Sequence, residues 1–150
     1  MAGEAEAGLI IGPVIGLGII LGLYELILIH RDENFRGSHW LGHGIHSVVI
    51  MVAALFAVMN TEYFLEFTGL IASGIPLISN ILAVRIAVGL ILVIKMWSVS
   101  SVIKGGGGTR GMHEGFIHIF VVAVLVVAAP YYWPLLEPVL EPFLPSWMLN

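Results

Sequence analysis

Two groups of ionisable side chains stand at the start of two long apolar segments of this sequence. The groups are His39, His43 and His46, and His113, Glu114 and His118. Imidazoles and carboxylates are costly inside a bilayer, and they occur there chiefly where a functional site needs them. The chemistry that these residue types support is metal or haem ligation, or proton transfer near neutral pH.

Helical periodicity decides which of these side chains share a face. At about 100° per residue, His39, His43 and His46 fall within roughly 60° of one another. Glu114 and His118 are four residues apart and also share a face. His113 points away from that pair. The two helix starts therefore offer two clusters, His39 with His43 and His46, and Glu114 with His118, that a fold could bring together.

Composition identifies the class of protein. The chain has 150 residues, of which 59% are hydrophobic and 11% are charged. With a mean hydropathy of +1.01, it is predicted to be an all-α membrane protein that forms one domain over residues 1–150. It contains no cysteine, which excludes thiolate metal sites, disulfides and cysteine nucleophiles. The net charge of −4 and the lack of a basic patch exclude a nucleic-acid partner.

Four apolar stretches are long enough to cross the hydrocarbon core, at about 8–29, 40–59, 81–103 and 112–129. They predict a bundle of four transmembrane helices. The stretch from 60 to 80 is broken by Gly69, Gly74 and Pro76, so it is predicted to be an interfacial or re-entrant segment between helices 2 and 3. Pro130 is expected to end the last helix, and the proline-rich tail, 130–150, to lie along the bilayer or a partner.

Basic residues predict the orientation. They lie in the loops after the first and third spans: Arg31, Arg36, Lys104 and Arg110. The positive-inside rule then places these loops in the cytoplasm and both termini outside, in a multi-pass protein of the plasma or cell membrane. With that orientation, every histidine lies towards the cytoplasmic side.

The same orientation adds Glu25 and Lys95, from the first and third spans, to the cytoplasmic half of the bundle. The hypothetical metal site consists of five residues: His43, His46, Glu25, Glu114 and His118. The alternative proton or ion-pair network consists of four: Glu25, Lys95, Glu114 and His118. The spacing matches neither the Glu-x-x-His pattern of di-iron bundles nor the His-Glu-x-x-His pattern of zinc proteases. A structural hydrogen-bonded network, a metal or haem site and a proton path therefore all stay open.

Two further features bear on packing. Glycines at four-residue spacing form a predicted packing face on the first span, for internal packing or for a dimer: Gly8, Gly12, Gly16, Gly18 and Gly22. Arg85 is expected to snorkel to the outer interface, where Glu62 or Glu66 could pair with it.

No complete catalytic motif is present, so the chain is not expected to be an enzyme by itself. The leading hypothesis is an accessory or structural subunit of a larger membrane complex. The alternatives are a proton or ion channel or transporter subunit that works as an oligomer, and a metal- or haem-binding subunit of a membrane oxidoreductase. The cofactor is unknown, with a transition metal or haem as the candidates. The expected partners are the lipid bilayer and other membrane subunits or further copies of the chain.

Overall fold

The computed structural model describes residues 8–30, 40–104, 116–146 and 149, with the backbone alone for 28–30, 40–44 and 99–104. The described part is all-helical and contains no strand, which confirms the predicted class. Its α-helices are α1 (Gly12–His30), α2 (Trp40–Met59), α3 (Thr61–Phe67), α4 (Ile81–Lys104) and α5 (Phe116–Leu140), and a 3-10 turn, Glu141–Phe143, follows α5.

Length and hydropathy identify the helices that could cross a membrane. Two segments are long and apolar enough, Ile81–Ser98 in α4 and Phe116–Phe143 in α5 with its 3-10 turn. A third candidate is the pair Ile45–Met59 and Thr61–Phe67, which is bent by 60°. The apolar part of α1, Gly12–Ile27, is shorter. The described residues therefore contain two or three candidate spans, as expected for a membrane protein, and the predicted bundle of four spans is not confirmed.

Helix α2 lies at the centre of the fold. It contacts α1 on one side and both α4 and α5 on the other, and α4 and α5 also pack against each other. The core formed where α2 meets α5 is fully buried and includes Leu55, Val58, Ile119, Val122 and Val126. Because α1 packs principally against α2, its opposite face is exposed, with Ile20 and Ile27 at 63% and 65% exposure.

Two of the predicted packing glycines explain why α1 and α2 lie so close together. A Cβ atom at Gly22 would lie 2.5 Å from the Cα atom of Val48, and one at Gly18 would lie 2.9 Å from the Cα atom of Val52. Gly12 and Gly16 are also buried, whereas Gly8 precedes the helix and has open space around it. Within this chain, Gly18 and Gly22 therefore serve internal helix packing.

Helix α5 corrects one prediction from the sequence. It continues through Pro130, Pro134 and Pro138 to Leu140, so Pro130 does not end it. Each proline removes one N–H donor and crowds the carbonyl group four residues earlier. Since these prolines are four residues apart, the affected carbonyl groups lie along one stripe of the helix. Hydrogen bonding on the other faces is preserved, and the helix extends into the region predicted to be an irregular tail.

Candidate functional site

Glu25 is the only predicted site residue whose described side chain is buried, with 4% of its surface exposed. It follows Gly22 by three residues and Leu21 by four, so it lies on the face of α1 that packs against α2. Ser47 of α2 lies in the same interface, where its hydroxyl donates to the carbonyl oxygen of Gly22 at 3.2 Å. The α1–α2 interface therefore holds a buried carboxyl group and a buried hydroxyl group in one region.

The other predicted site residues do not join Glu25 in the described part of the chain. His46 of α2, Lys95 of α4 and His118 of α5 all have exposed side chains. No three histidines or acids among the described residues are grouped so that they could hold a metal ion. The His43 side chain and Glu114 lie outside the described residues, as do His39 and His113. The five-residue metal set and the Lys95 network thus stay predictions.

A second polar cluster, which the sequence interpretation did not identify, lies where α2 bends into α3. Asn60 is 2% exposed, and its side-chain oxygen accepts the backbone N–H of Ile10 at 2.7 Å. Its amide nitrogen donates to the carbonyl oxygens of Ile10 and Phe56, both at 3.0 Å. One amide side chain thereby satisfies both backbone groups of Ile10 and fixes the chain leading into α1 against the end of α2.

Arg85 belongs to the same end of the fold. Its Nε donates to the carbonyl oxygen of Val58 at 3.1 Å, and its Nη1 donates to the Tyr131 hydroxyl at 3.1 Å. Its guanidinium carbon also lies 5.3 Å from the centroid of the Tyr131 ring. A cation at the last turn of α2 is favourable because the carboxyl end of a helix carries partial negative charge.

These contacts correct the prediction that Arg85 snorkels outwards. Its side chain is buried, at 8% exposure, and it joins α2, α4 and α5. Glu62 and Glu66 are exposed, and neither forms an ion pair with Arg85 in the contacts of the described residues. An arginine four residues into an apolar helix can either snorkel to the membrane surface or lie buried between helices, and the sequence alone does not decide between the two.

Residues 68–80, which we call the exposed turn segment, connect α3 to α4. Their side chains are almost all exposed, including Ile71, Ile75 and Leu77. Hydrogen bonds in the segment are local, such as Ser73 Oγ to the Leu70 carbonyl oxygen at 2.6 Å. Leu77 adopts a φ of 72°, in the left-handed region that a leucine rarely occupies. The segment thus presents apolar side chains that nothing in the described part of the chain covers.

Comparison with protein-family models, with curated proteins and with solved structures finds no match to this chain. The chemistry available in the described residues is therefore the guide to function. It consists of a buried carboxyl group in the α1–α2 interface, a buried arginine bonded to a tyrosine, and an uncovered apolar turn. None of these combines a nucleophile, a base and an oxyanion site, as a catalytic centre would.

Proposed function

We propose that this chain is a structural subunit of a larger membrane protein complex and that the exposed turn segment contacts a neighbouring subunit. The observation that carries the proposal is the conformation of Leu77, which is left-handed and 73% exposed. A non-glycine residue in this conformation costs about 1–3 kcal/mol and persists where its surroundings impose it. A second protein that covers Leu77 would supply those surroundings.

The physical properties of a bilayer support the same conclusion. Hydrocarbon cannot satisfy the N–H and C=O groups of irregular backbone, so such backbone is found at membrane depth only when protein covers it. At the membrane surface, exposed isoleucine and leucine side chains mark a contact with another protein or with the membrane itself. A protein contact at Ile71, Ile75 and Leu77 meets the requirement at either depth.

The proposed topology has four crossings, formed by α1, by α2 with α3, by α4 and by α5. Arg31, Arg36, Lys104 and Arg110 then flank the cytoplasmic ends of the crossings. The exposed turn segment and both termini lie outside, because each is separated from a basic loop by one crossing. The neighbouring subunit would therefore meet Leu77 at the outer face of the membrane.

Because the chain has no cysteine, single introduced cysteines can test this contact. In native membranes, a maleimide that carries a photoreactive benzophenone is attached to the introduced thiol, and on illumination the Leu77→Cys variant should form a discrete adduct with a different membrane polypeptide. The matched control is Ile91→Cys in α4, whose native side chain is 66% exposed. It should give no such adduct. Equal cross-linking from both positions, or adducts of this chain with itself alone, would contradict the proposal.

Proton transfer is a second candidate, favoured by the burial of Glu25 in an apolar helix. An ionisable group at such a position is by default a functional hypothesis. In proteoliposomes with an imposed pH gradient, a proton path would make flux depend on Glu25, and the Glu25→Gln variant would abolish it. Glu66→Gln, which alters an exposed carboxyl group, is the control. Equal flux in the native protein and in Glu25→Gln would eliminate this candidate.

A further inference from the structure

An apolar groove of about 420 Å³ runs between α4 and α5. Small residues form its floor, among them Gly89, Ala123 and Ala128, and bulky side chains such as Leu90 and Phe120 form its walls. Gly89 is essential to this shape, because a Cβ atom there would collide with Val127 Cγ2. The groove is thus a consequence of small residues placed opposite each other on two neighbouring helices.

The surface that lines the groove is almost entirely apolar, and a polar contact lies just behind one end of it. Tyr131 lines that end, and its hydroxyl accepts a hydrogen bond from Arg85 Nη1 at 3.1 Å. Ile86 also lines the groove, whereas Arg85 does not, and the Arg85 guanidinium carbon lies 5.3 Å from the centroid of the Tyr131 ring. All the other lining residues are aliphatic side chains, glycine or phenylalanine. An occupant must therefore be apolar along the groove, and only a part of it that extends past the Tyr131 end can reach Arg85.

The charge of Arg85 determines which polar group the occupant should carry beyond this end of the groove. Arg85 is buried, and its bonded partners in the described residues are neutral: a backbone carbonyl and a tyrosine hydroxyl. A buried cation is costly without an anion, and a guanidinium group pairs especially well with phosphate oxygens. Arg85 is the fourth residue after Ile81, the first of α4, so it lies only about 6 Å along that helix. Lipid headgroups lie at such helix ends.

We infer that this groove binds one anionic phospholipid, with an acyl chain along the groove and its phosphate at Arg85 and Tyr131. The length of the groove supports a lipid over a transmembrane helix. It extends about 10 Å along α4, from Ile86 to Val93, and about 22 Å along α5, from Phe116 to Tyr131. One leaflet of the hydrocarbon core is about 15 Å thick, whereas a transmembrane helix needs the full 30 Å or so. This inference requires a bilayer but not the proposed subunit function.

Native mass spectrometry of the full chain in mild detergent tests the site. The probes are phosphatidylglycerol and phosphatidylcholine with identical acyl chains, each added at the same concentration. One phosphatidylglycerol should stay bound per chain, with a roughly tenfold preference over phosphatidylcholine, because the choline cation of phosphatidylcholine offsets the charge of the phosphate that both lipids carry. Equal retention of the two lipids by the native chain would overturn the inference.

Two variants separate the groove from the headgroup contact. Ala128→Phe fills the groove and should abolish retention, whereas Ala87→Phe, at an exposed position of α4 outside the groove lining, should not. Tyr131→Phe keeps the ring but removes the hydroxyl, so it should lower the retention of phosphatidylglycerol several-fold. It also provides a second test if Ala128→Phe fails to fold, as judged by circular dichroism. Unchanged phosphatidylglycerol retention in a folded Ala128→Phe variant, or in Tyr131→Phe, would overturn the inference.

Discussion

At the scale of single residues, two buried polar side chains organise one end of this molecule. Asn60 satisfies both backbone groups of Ile10, and Arg85 donates to the carbonyl oxygen of Val58 near the end of α2. Thr61 adds a hydroxyl that donates to the carbonyl oxygen of Ala57 at 2.7 Å. Polar groups left unpaired in an apolar environment are costly, so these hydrogen bonds stabilise the fold at the bend between α2 and α3.

We expect Asn60→Ala to lower the free energy of unfolding by about 2–4 kcal/mol, because it removes the three hydrogen bonds of a buried side chain and leaves half-buried backbone groups of Ile10 unpaired. The matched control is Asn80→Ala. Asn80 is exposed, and its side chain accepts a single bond, from the N–H of Ala83 at 3.0 Å, which caps α4. Loss of that cap should cost about 1 kcal/mol. Unfolding by dodecyl sulfate in mixed micelles, followed by circular dichroism, measures both values, and equal losses would contradict this account of Asn60.

At the scale of helices, the close approach of α1 and α2 depends on glycine. Gly22→Ala places a methyl group against the backbone of Val48, so we expect a loss of about 1–3 kcal/mol from overpacking. Gly8→Ala is the control, since a Cβ atom there meets nothing within 4 Å. The same unfolding assay compares the two variants. If Gly22→Ala is as stable as Gly8→Ala, the helices can separate freely and the interface is not tightly packed.

For the prolines of α5 we expect a substitution that raises stability, in contrast to the two substitutions above. Pro134 is exposed and lies inside the helix, where proline costs up to about 3 kcal/mol. Pro134→Ala restores a donor for the carbonyl oxygen of Pro130, so it should raise stability and keep the helical content. Leu135→Ala, at the adjacent position with 74% exposure, should change stability little. A fall in helical signal in Pro134→Ala would show that the proline spacing is needed for the helix.

Hydropathy and glycine spacing predicted most of the helices but not their polar contacts. The long apolar runs correspond to α1, α2, α4 and α5, because helix formation in such runs depends on local composition. The continuation of α5 past Pro130 is not predicted from a single proline, because a lone proline favours the end of a helix and only the four-residue spacing of the three prolines fits its continuation. The contacts of Asn60 with Ile10 and of Arg85 with Tyr131 join residues 50 and 46 positions apart, and no local pattern encodes such pairs.

At the scale of the whole molecule, the described helices cover little of their own apolar surface. Helix α1 has one face on α2 and the other exposed, and the exposed turn segment has no cover within the described residues. Lipid suits the regular helix faces, since all their backbone groups are bonded internally. It does not suit irregular backbone around Leu77. We therefore expect a protein neighbour at that segment.

Native mass spectrometry of this protein, extracted from its own membrane in a mild detergent, tests for such a neighbour. The chain alone has a mass of 16.2 kDa. We expect a larger assembly that contains at least one different polypeptide in a fixed integer ratio to this chain. A species at the mass of the single chain, or only at multiples of that mass, would contradict the assignment of this protein as a subunit of a larger complex.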